Sequence, residues 1–188
     1  MSSYSALYGC GESESIHFCH DCPGGRTREF ARVRGGGFIK KPYLATLMAD
    51  PTDKALWDAG IASGDIIIIP ETSGSYDPGD PKELKGFGDR KVSYGPREMT
   101  LTMNDPDYSE NYAFWNDIVD RTNFVPFFRT SELVHIFDAT ATIKAKDPVA
   151  DDLEEEVTWV VESKITSRNI PSKHSLATIA EIFSCSNF

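Results

Sequence analysis

Residues 98–122 read EMTLTMNDPDYSENYAFWNDIVDRT, and two periods meet inside them. From Glu98 to Met103 the side chains alternate, Met99, Leu101 and Met103 against Glu98, Thr100 and Thr102. A period of two marks a strand with one buried face. From Asn104 onward the period lengthens. Tyr108, Tyr112, Trp115 and Val119 fall at i, i+4, i+7 and i+11, one apolar stripe of an amphipathic helix. Asn104 or Asp105 can cap that helix, and Pro106 stands near its first position, where a missing N–H costs nothing. The stretch therefore predicts a strand feeding a helix that lies on a sheet.

Working outward, strands dominate. Downstream, FVPFFRT, ELVHIFDA and TATIKAK read as strands, the last with Ala141, Ile143 and Ala145 opposite Thr140, Thr142 and Lys144. VTWVVESKITS returns as a long strand with Val157, Trp159 and Val161 on one side. Upstream, DIIIIP is a short continuous apolar run of β-branched residues, which fits a strand buried on both faces. EFARVRG and GFIKKPYLATL read as two strand-like pieces around Gly35-Gly36-Gly37. DPTDKALWDAGI predicts a short helical turn that Gly60 would end. Between DIIIIP and EMTLTM lie nearly thirty residues dense in Gly, Pro, Asp and Ser, with the turn chemistry Asp77-Pro78-Gly79-Asp80-Pro81 at their centre. A loop of that length is usually functional. The expectation is a mainly β (α+β) domain of about seven antiparallel strands, with one packed helix and one long inter-strand loop.

The chain has 188 residues, enough for one domain, with 40% hydrophobic residues to build its core. No run is long and apolar enough for a bilayer helix, so no membrane association is expected. MSSYSALYGCGESES lacks a basic region followed by an apolar one, so no secretory signal is expected and folding in a cytosol is. A net charge of −10 argues against nucleic-acid affinity as the primary function, because phosphate binding needs clustered Lys and Arg. The charge is unevenly spread. Residues 26–41 carry Arg26, Arg28, Arg32, Arg34, Lys40 and Lys41 against Glu29 alone. Residues 147–156 carry Asp147, Asp151, Asp152, Glu154, Glu155 and Glu156 with no base. Two readings stand: separate solvated surfaces, or complementary patches that meet across a subunit boundary.

The stretch IHFCHDCPGG, residues 16–25, holds two of the four His and two of the four Cys. Cys10, His17, Cys19 and Cys22 are donors of the types zinc prefers, and His20 and Cys185 add to the inventory. A strong zinc sequence carries two Cys-x-x-Cys pairs, and this chain carries one. Redox catalysis would need the pair at a helix N-terminus, which Pro23-Gly24-Gly25 disfavours. A structural zinc, a disulfide staple and ordinary thiols in an N-terminal arm all remain open. No G-x-S-x-G elbow, P-loop or G-x-G-x-x-G occurs. His135, flanked by apolar residues in LVHIF, reads as a half-buried strand histidine, and His174 as part of an exposed terminal segment. No catalytic constellation emerges, and the expectation is a protein that is not an enzyme.

Three stretches carry a resemblance: CGESESIHFCHDC followed by RVRGGGFIKK, WDAGIASGDIIIIPETSGS, and GFGDRKVSYGPREMTLTMNDPDYSENYAFWN. With the order of elements, they resemble the tail-tube family of tailed bacteriophages, more narrowly tail or ring virion proteins of crAss-like and other Bacteroidetes phages. The resemblance implies an antiparallel β-sandwich or barrel of tail-tube type over 26–170, a Cys/His-rich arm over 1–25 and a C-terminal tail over 171–188. It implies a virion protein assembled in the host bacterial cytoplasm into homo-oligomeric rings or a tube. Other tail and portal proteins would be its partners, and double-stranded DNA would pass through without specific binding. An inter-ring loop would use Tyr76, Asp77, Lys82, Phe87, Arg90 and Tyr94. Subunits would join through Arg28, Arg32 and Arg34 against Asp151, Asp152, Glu154 and Glu155. The Cys/His arm departs from many tube proteins, leaving a collar ring or adaptor open. A different class is a zinc-stabilised adaptor that docks a protein partner, with Cys10, His17, Cys19 and Cys22 as the metal ligands; otherwise no cofactor is expected.

Overall fold

The computed structural model describes residues 32–84, 93–107, 110–119, 121–147 and 157–183. In chain order the first half comprises β1 (Gly35–Lys40), α1 (Lys41–Leu47), α2 (Lys54–Ala62), β2 (Ile66–Ile69), β3 (Ser73–Asp77), β4 (Pro81–Leu84) and β5 (Ser93–Asp105). The second half comprises α3 (Tyr112–Ile118), β6 (Phe124–Arg129), β7 (Leu133–Ile136), β8 (Ala141–Lys146), β9 (Trp159–Ser167), β10 (Ser172–Ser175) and a 3-10 turn at Ala180–Phe183.

The strands form two antiparallel sheets. One runs β10-β7-β6-β1-β2; the other runs β3-β5-β9-β8, with β4 also paired to β5. Alternation along β6 builds the layers. Phe124 and Phe128 point toward the second sheet and α3, where Phe124 meets Phe38, and Phe128 meets Tyr76 of β3. Phe127 points the other way, edge-on to Trp57 of α2 at 5.2 Å and to Phe183 of the 3-10 turn. The first sheet is thus covered on both faces, by helices and by the second sheet. Among the described residues the second sheet is covered on one face only. Met99, Leu101, Met103, Val161 and Ile165 are buried beneath it, while Thr142, Lys144, Lys164 and Thr166 face solvent.

The expected mainly β sandwich or barrel of tail-tube type with one packed helix is corrected by this architecture. It is a mixed α/β fold with two antiparallel sheets and three helices, and neither sheet closes or curls into a barrel. Closure requires edge strands to meet, and here β10 and β2 end one sheet while β8 and the β3–β4 line end the other. The extra helices lie in segments whose residues carry both signals. GFIKKPYLATL is a strand only as far as Lys40; Pro42 sits in the first turn of α1, and Leu44 and Leu47, three apart, are buried. In DPTDKALWDAGI the Asp53 carboxylate accepts from Ala55 N at 2.9 Å, capping a helix that passes Gly60. Gly60 is packed against Ile66 and Tyr43, and the chain turns only at Gly64, which has a φ of +71°. DIIIIP is the edge strand β2, and its side chains are covered on both faces as expected, with Ile66, Ile68 and Ile69 buried and Ile67 half-buried.

The helix expected from Asn104 also begins later. β5 continues to Asp105, and Asn104 and Asp105 pair with Val160 and Trp159 of β9. The Asp105 side chain is 2% exposed and accepts three hydrogen bonds: Asp107 N at 3.0 Å, Asn111 Nδ2 at 2.7 Å and Trp115 Nε1 at 2.7 Å. It therefore fixes the turn between strand and helix from the strand side. Trp115 is buried and edge-on to Phe38, whereas Tyr112 is exposed. Within the segment assigned above to the C-terminal tail, β10 pairs with β7, and Leu176, Ile179, Ile182 and Phe183 belong to the core.

Two measurements check this packing. Trp115→Phe keeps most of the apolar volume but removes one of three donors to a buried carboxylate, and should cost about 2 kcal/mol in urea unfolding. A variant as stable as the parent would show that Asp105 does not depend on the indole. His174, half-buried in β10, has its pKa lowered from the usual 6.5 by burial. The folded state therefore disfavours the charged ring, so its contribution is present above the unfolded pKa and is lost as pH falls through the folded value. The melting temperature should fall more steeply below about pH 6.5 for the parent than for His174→Gln; parallel curves would refute this.

Candidate functional site

β3 and β4 lie end to end along one edge of β5: Ser73–Asp77 pair with Asn104–Thr100, and Pro81–Leu84 with Arg97–Ser93. Among the described residues, the loop of nearly thirty residues expected here is therefore largely strand. Its turn chemistry is a bulge within a strand line. Asp77 Oδ1 accepts from Gly79 N at 2.9 Å, Gly79 has a φ of +57°, and a Cβ there would stand 2.1 Å from the Glu98 carbonyl oxygen. Only glycine fits that position without moving the backbone.

The other edge of β5 is shorter. β9 pairs with Asp105 back to Arg97, opposite Ser167, and its strand ends there. Beyond Arg97, from Pro96 to Ser93, β5 is joined among the described residues to β4 alone, so the sheet runs out into a two-stranded ribbon. Such a ribbon is marginal by itself in water. This one also exposes large apolar side chains, Leu84 at 41% and Tyr94 at 63%. From Pro81 to Arg97 the sequence carries Lys82, Lys85, Arg90, Lys91 and Arg97 against Glu83 and Asp89, an excess of base in a chain of net charge −10.

The residues expected in an inter-ring loop divide accordingly. Lys82 and Tyr94 are exposed on the ribbon, and Phe87 and Arg90 lie outside the described residues. Asp77 makes the bulge. Tyr76 turns inward: its ring packs against Phe128 and Phe137, its hydroxyl approaches Met99 Sδ at 3.3 Å, and burial raises its pKa above 10.0, aided by Asp77 and opposed by Arg97. Leu84 is a site residue that sequence reasoning misses. Its signal is present, since KEL extends the strand pattern beyond Pro81, but Pro78, Gly79 and Pro81 read as a loop.

A second feature lies where the chain crosses from one sheet to the other. Val33 is buried and bridges to Gly74, which turns its neighbours Arg32 and Arg34 outward. With Arg129, Glu71, Ser73 and Thr158 they line a cleft of about 610 Å³. The Arg129 guanidinium stands 5.2 Å over the Phe183 ring and donates from Nη2 to the Pro70 carbonyl oxygen at 3.3 Å. Three arginines and one carboxylate thus line the cleft. Arg28 and the run Asp151, Asp152, Glu154 and Glu155 lie outside the described residues.

Cys10, His17, Cys19 and Cys22 also lie outside the described residues. Among the described residues no group of three or more His, Cys, Asp or Glu could hold a metal ion. His135 is buried in β7, stacked on Phe128 at 4.5 Å and 7°. No family model, no curated protein and no solved structure matches this chain.

Gly79 gives the ribbon its test. Gly79→Ala should destabilise the protein by about 2 kcal/mol. It should also speed amide exchange in Lys82–Leu84 relative to β9. Uniform exchange across both strands would mean that the bulge does not position the ribbon.

Proposed function

We propose that this chain is a structural subunit of a phage tail, which assembles into rings or a tube that conduct double-stranded DNA. The observation that carries the reading is the projecting β4–β5 ribbon. A two-stranded extension with Leu84 and Tyr94 in water gains little from its own chain, and a neighbouring copy would bury both. In a tail, such an arm links successive subunits. The stretch that carries the resemblance to tail and ring virion proteins, residues 86–116, holds the β5 half of the ribbon and the strand that continues it.

Two further features fit. Open sheets leave edge strands that invite pairing with another chain, and a head-to-tail contact closes into a ring when its rotation permits. The uncovered face of the second sheet carries Thr100, Thr102, Thr142 and Thr166 among charges of both signs, with Lys164 Nζ and Glu162 Oε1 3.4 Å apart. Such a surface holds no concentrated cation patch for phosphates to grip. It is the surface we assign to the lumen. The partners on this reading are copies of the chain and other tail or portal proteins, and the location is the virion.

Light scattering and negative-stain microscopy of the purified full chain, over a range of concentrations, test this directly. Closed rings or tubes with an open centre are the expected outcome. A monomer at every concentration overturns the proposal.

A further inference from the structure

The three arginines of the cleft between the sheets come from two segments that the fold fixes side by side. Arg34 N donates to the Arg129 carbonyl oxygen at 3.0 Å, and Thr72 N donates to the Arg34 carbonyl oxygen at 3.3 Å, so the backbone at Arg34 is held from both sides. Val33 is buried and bridged to Gly74, which leaves Arg32 and Arg34 exposed. Arg129 stands opposite Gly35 in the register of β1 and β6. A Cβ at Gly35 would lie 2.7 Å from both Arg129 Nε and the Pro70 carbonyl oxygen. The missing side chain is what lets Arg129 reach across β1 to Pro70.

Among the described residues, these arginines share the cleft with one carboxylate, Glu71, which leaves the lining a net charge of +2 in a chain of −10. Asp105 and Asp107 line the adjoining groove instead. The Ser73 hydroxyl oxygen accepts from Asn104 Nδ2 at 3.2 Å, which leaves its own hydrogen for a ligand. We propose that this cleft binds a small molecule carrying a phosphate group. A phosphate monoester has a charge of about −1.5 to −2 near pH 7, which matches the lining. Guanidinium groups pair with its oxygens through parallel N–H donors. A single carboxylate would balance half of that charge. The volume of about 610 Å³ has room for the organic part of a small ligand or for a second phosphoryl group. A net charge of −10 repels an extended polyanion such as a duplex, and the attraction is confined to this one cleft. The cleft is separate from the ribbon, so the inference does not depend on the assembly reading.

Pyrophosphate is the probe, titrated into the full chain by isothermal titration calorimetry at constant ionic strength. One saturable site with a Kd of about 1 mM or tighter is expected. Arg32→Gln with Arg34→Gln should weaken binding about tenfold or more, whereas Glu71→Gln should tighten it about threefold. All three positions are exposed, and circular dichroism checks that each variant folds. Changes of opposite sign at neighbouring positions separate contact with the ligand from damage to the fold. Lys144→Gln with Lys164→Gln, on the open face of the second sheet, should bind like the parent. An equal loss there would mean general ion pairing and overturn the proposal, as would the absence of saturable binding or arginine variants that bind like the parent. Malonate binding as tightly as pyrophosphate would overturn the phosphate assignment. A short DNA duplex that displaces pyrophosphate would overturn the restriction to small ligands.

Discussion

The uninterrupted run of β5 from Ser93 to Asp105 is the constraint on which the rest of the structure depends. Its thirteen residues connect the ribbon, the core of the second sheet and the anchor of α3. Met99, Leu101 and Met103 hold one face in the core, so a slip of one residue would carry all three to water and Thr100 and Thr102 inward. With the register locked there, both ends are fixed. At one end Asp105 arrives where it can accept from Trp115, Asn111 and Asp107. At the other, Tyr94 and Gly95 are carried past the last residue of β9.

The same lock explains why the molecule has open edges. β3 and β4 together make one line along β5, bent at Gly79 by the close approach of Glu98. The register shifts between Pro81 and Glu83, and β4 goes on with β5 as the ribbon. α2 covers one face of β2 through Gly60 against Ile66, and among the described residues no strand pairs with the outer edge of β2. A projecting strand pair and an unpaired edge therefore occur in one chain. Edges of that kind promote association.

Much of the second sheet is legible in the sequence because its strands are half-buried. Alternation in EMTLTM, TATIKAK and WVVESKITS maps directly onto residues that face the core and residues that face solvent. Segments buried on more than one side, or governed by a single residue, are not legible. Lys41–Leu47 reads as strand because its apolar residues also fit a short extended run, and burial of Leu44 and Leu47 decides otherwise. The 71–97 segment reads as loop because Pro78, Gly79 and Pro81 are turn residues in isolation, and pairing with β5 makes strands of Ser73–Asp77 and Pro81–Leu84 on either side of the turn. Of the candidate site, Lys82 and Tyr94 are legible as exposed residues, while Tyr76 is drawn inward by Phe128 and Phe137.

Local sterics and burial periodicity act within a few residues of chain, so the sequence by itself determined that strands alternate at Met99–Met103, Ala141–Ala145 and Trp159–Ile165. It also determined the charge asymmetry and the turn at Asp77–Gly79. Which strands are neighbours was decided only in the tertiary structure. A period of two states which side chains share a face and is silent about the strand beside them. The pairing of Asn104 with Val160, the carboxylate of Asp105 under Trp115, and the point at which β9 stops and leaves the ribbon alone each join residues distant in sequence. They arise from packing one core between two sheets and a layer of helices, where each contact is favourable only once the others are made.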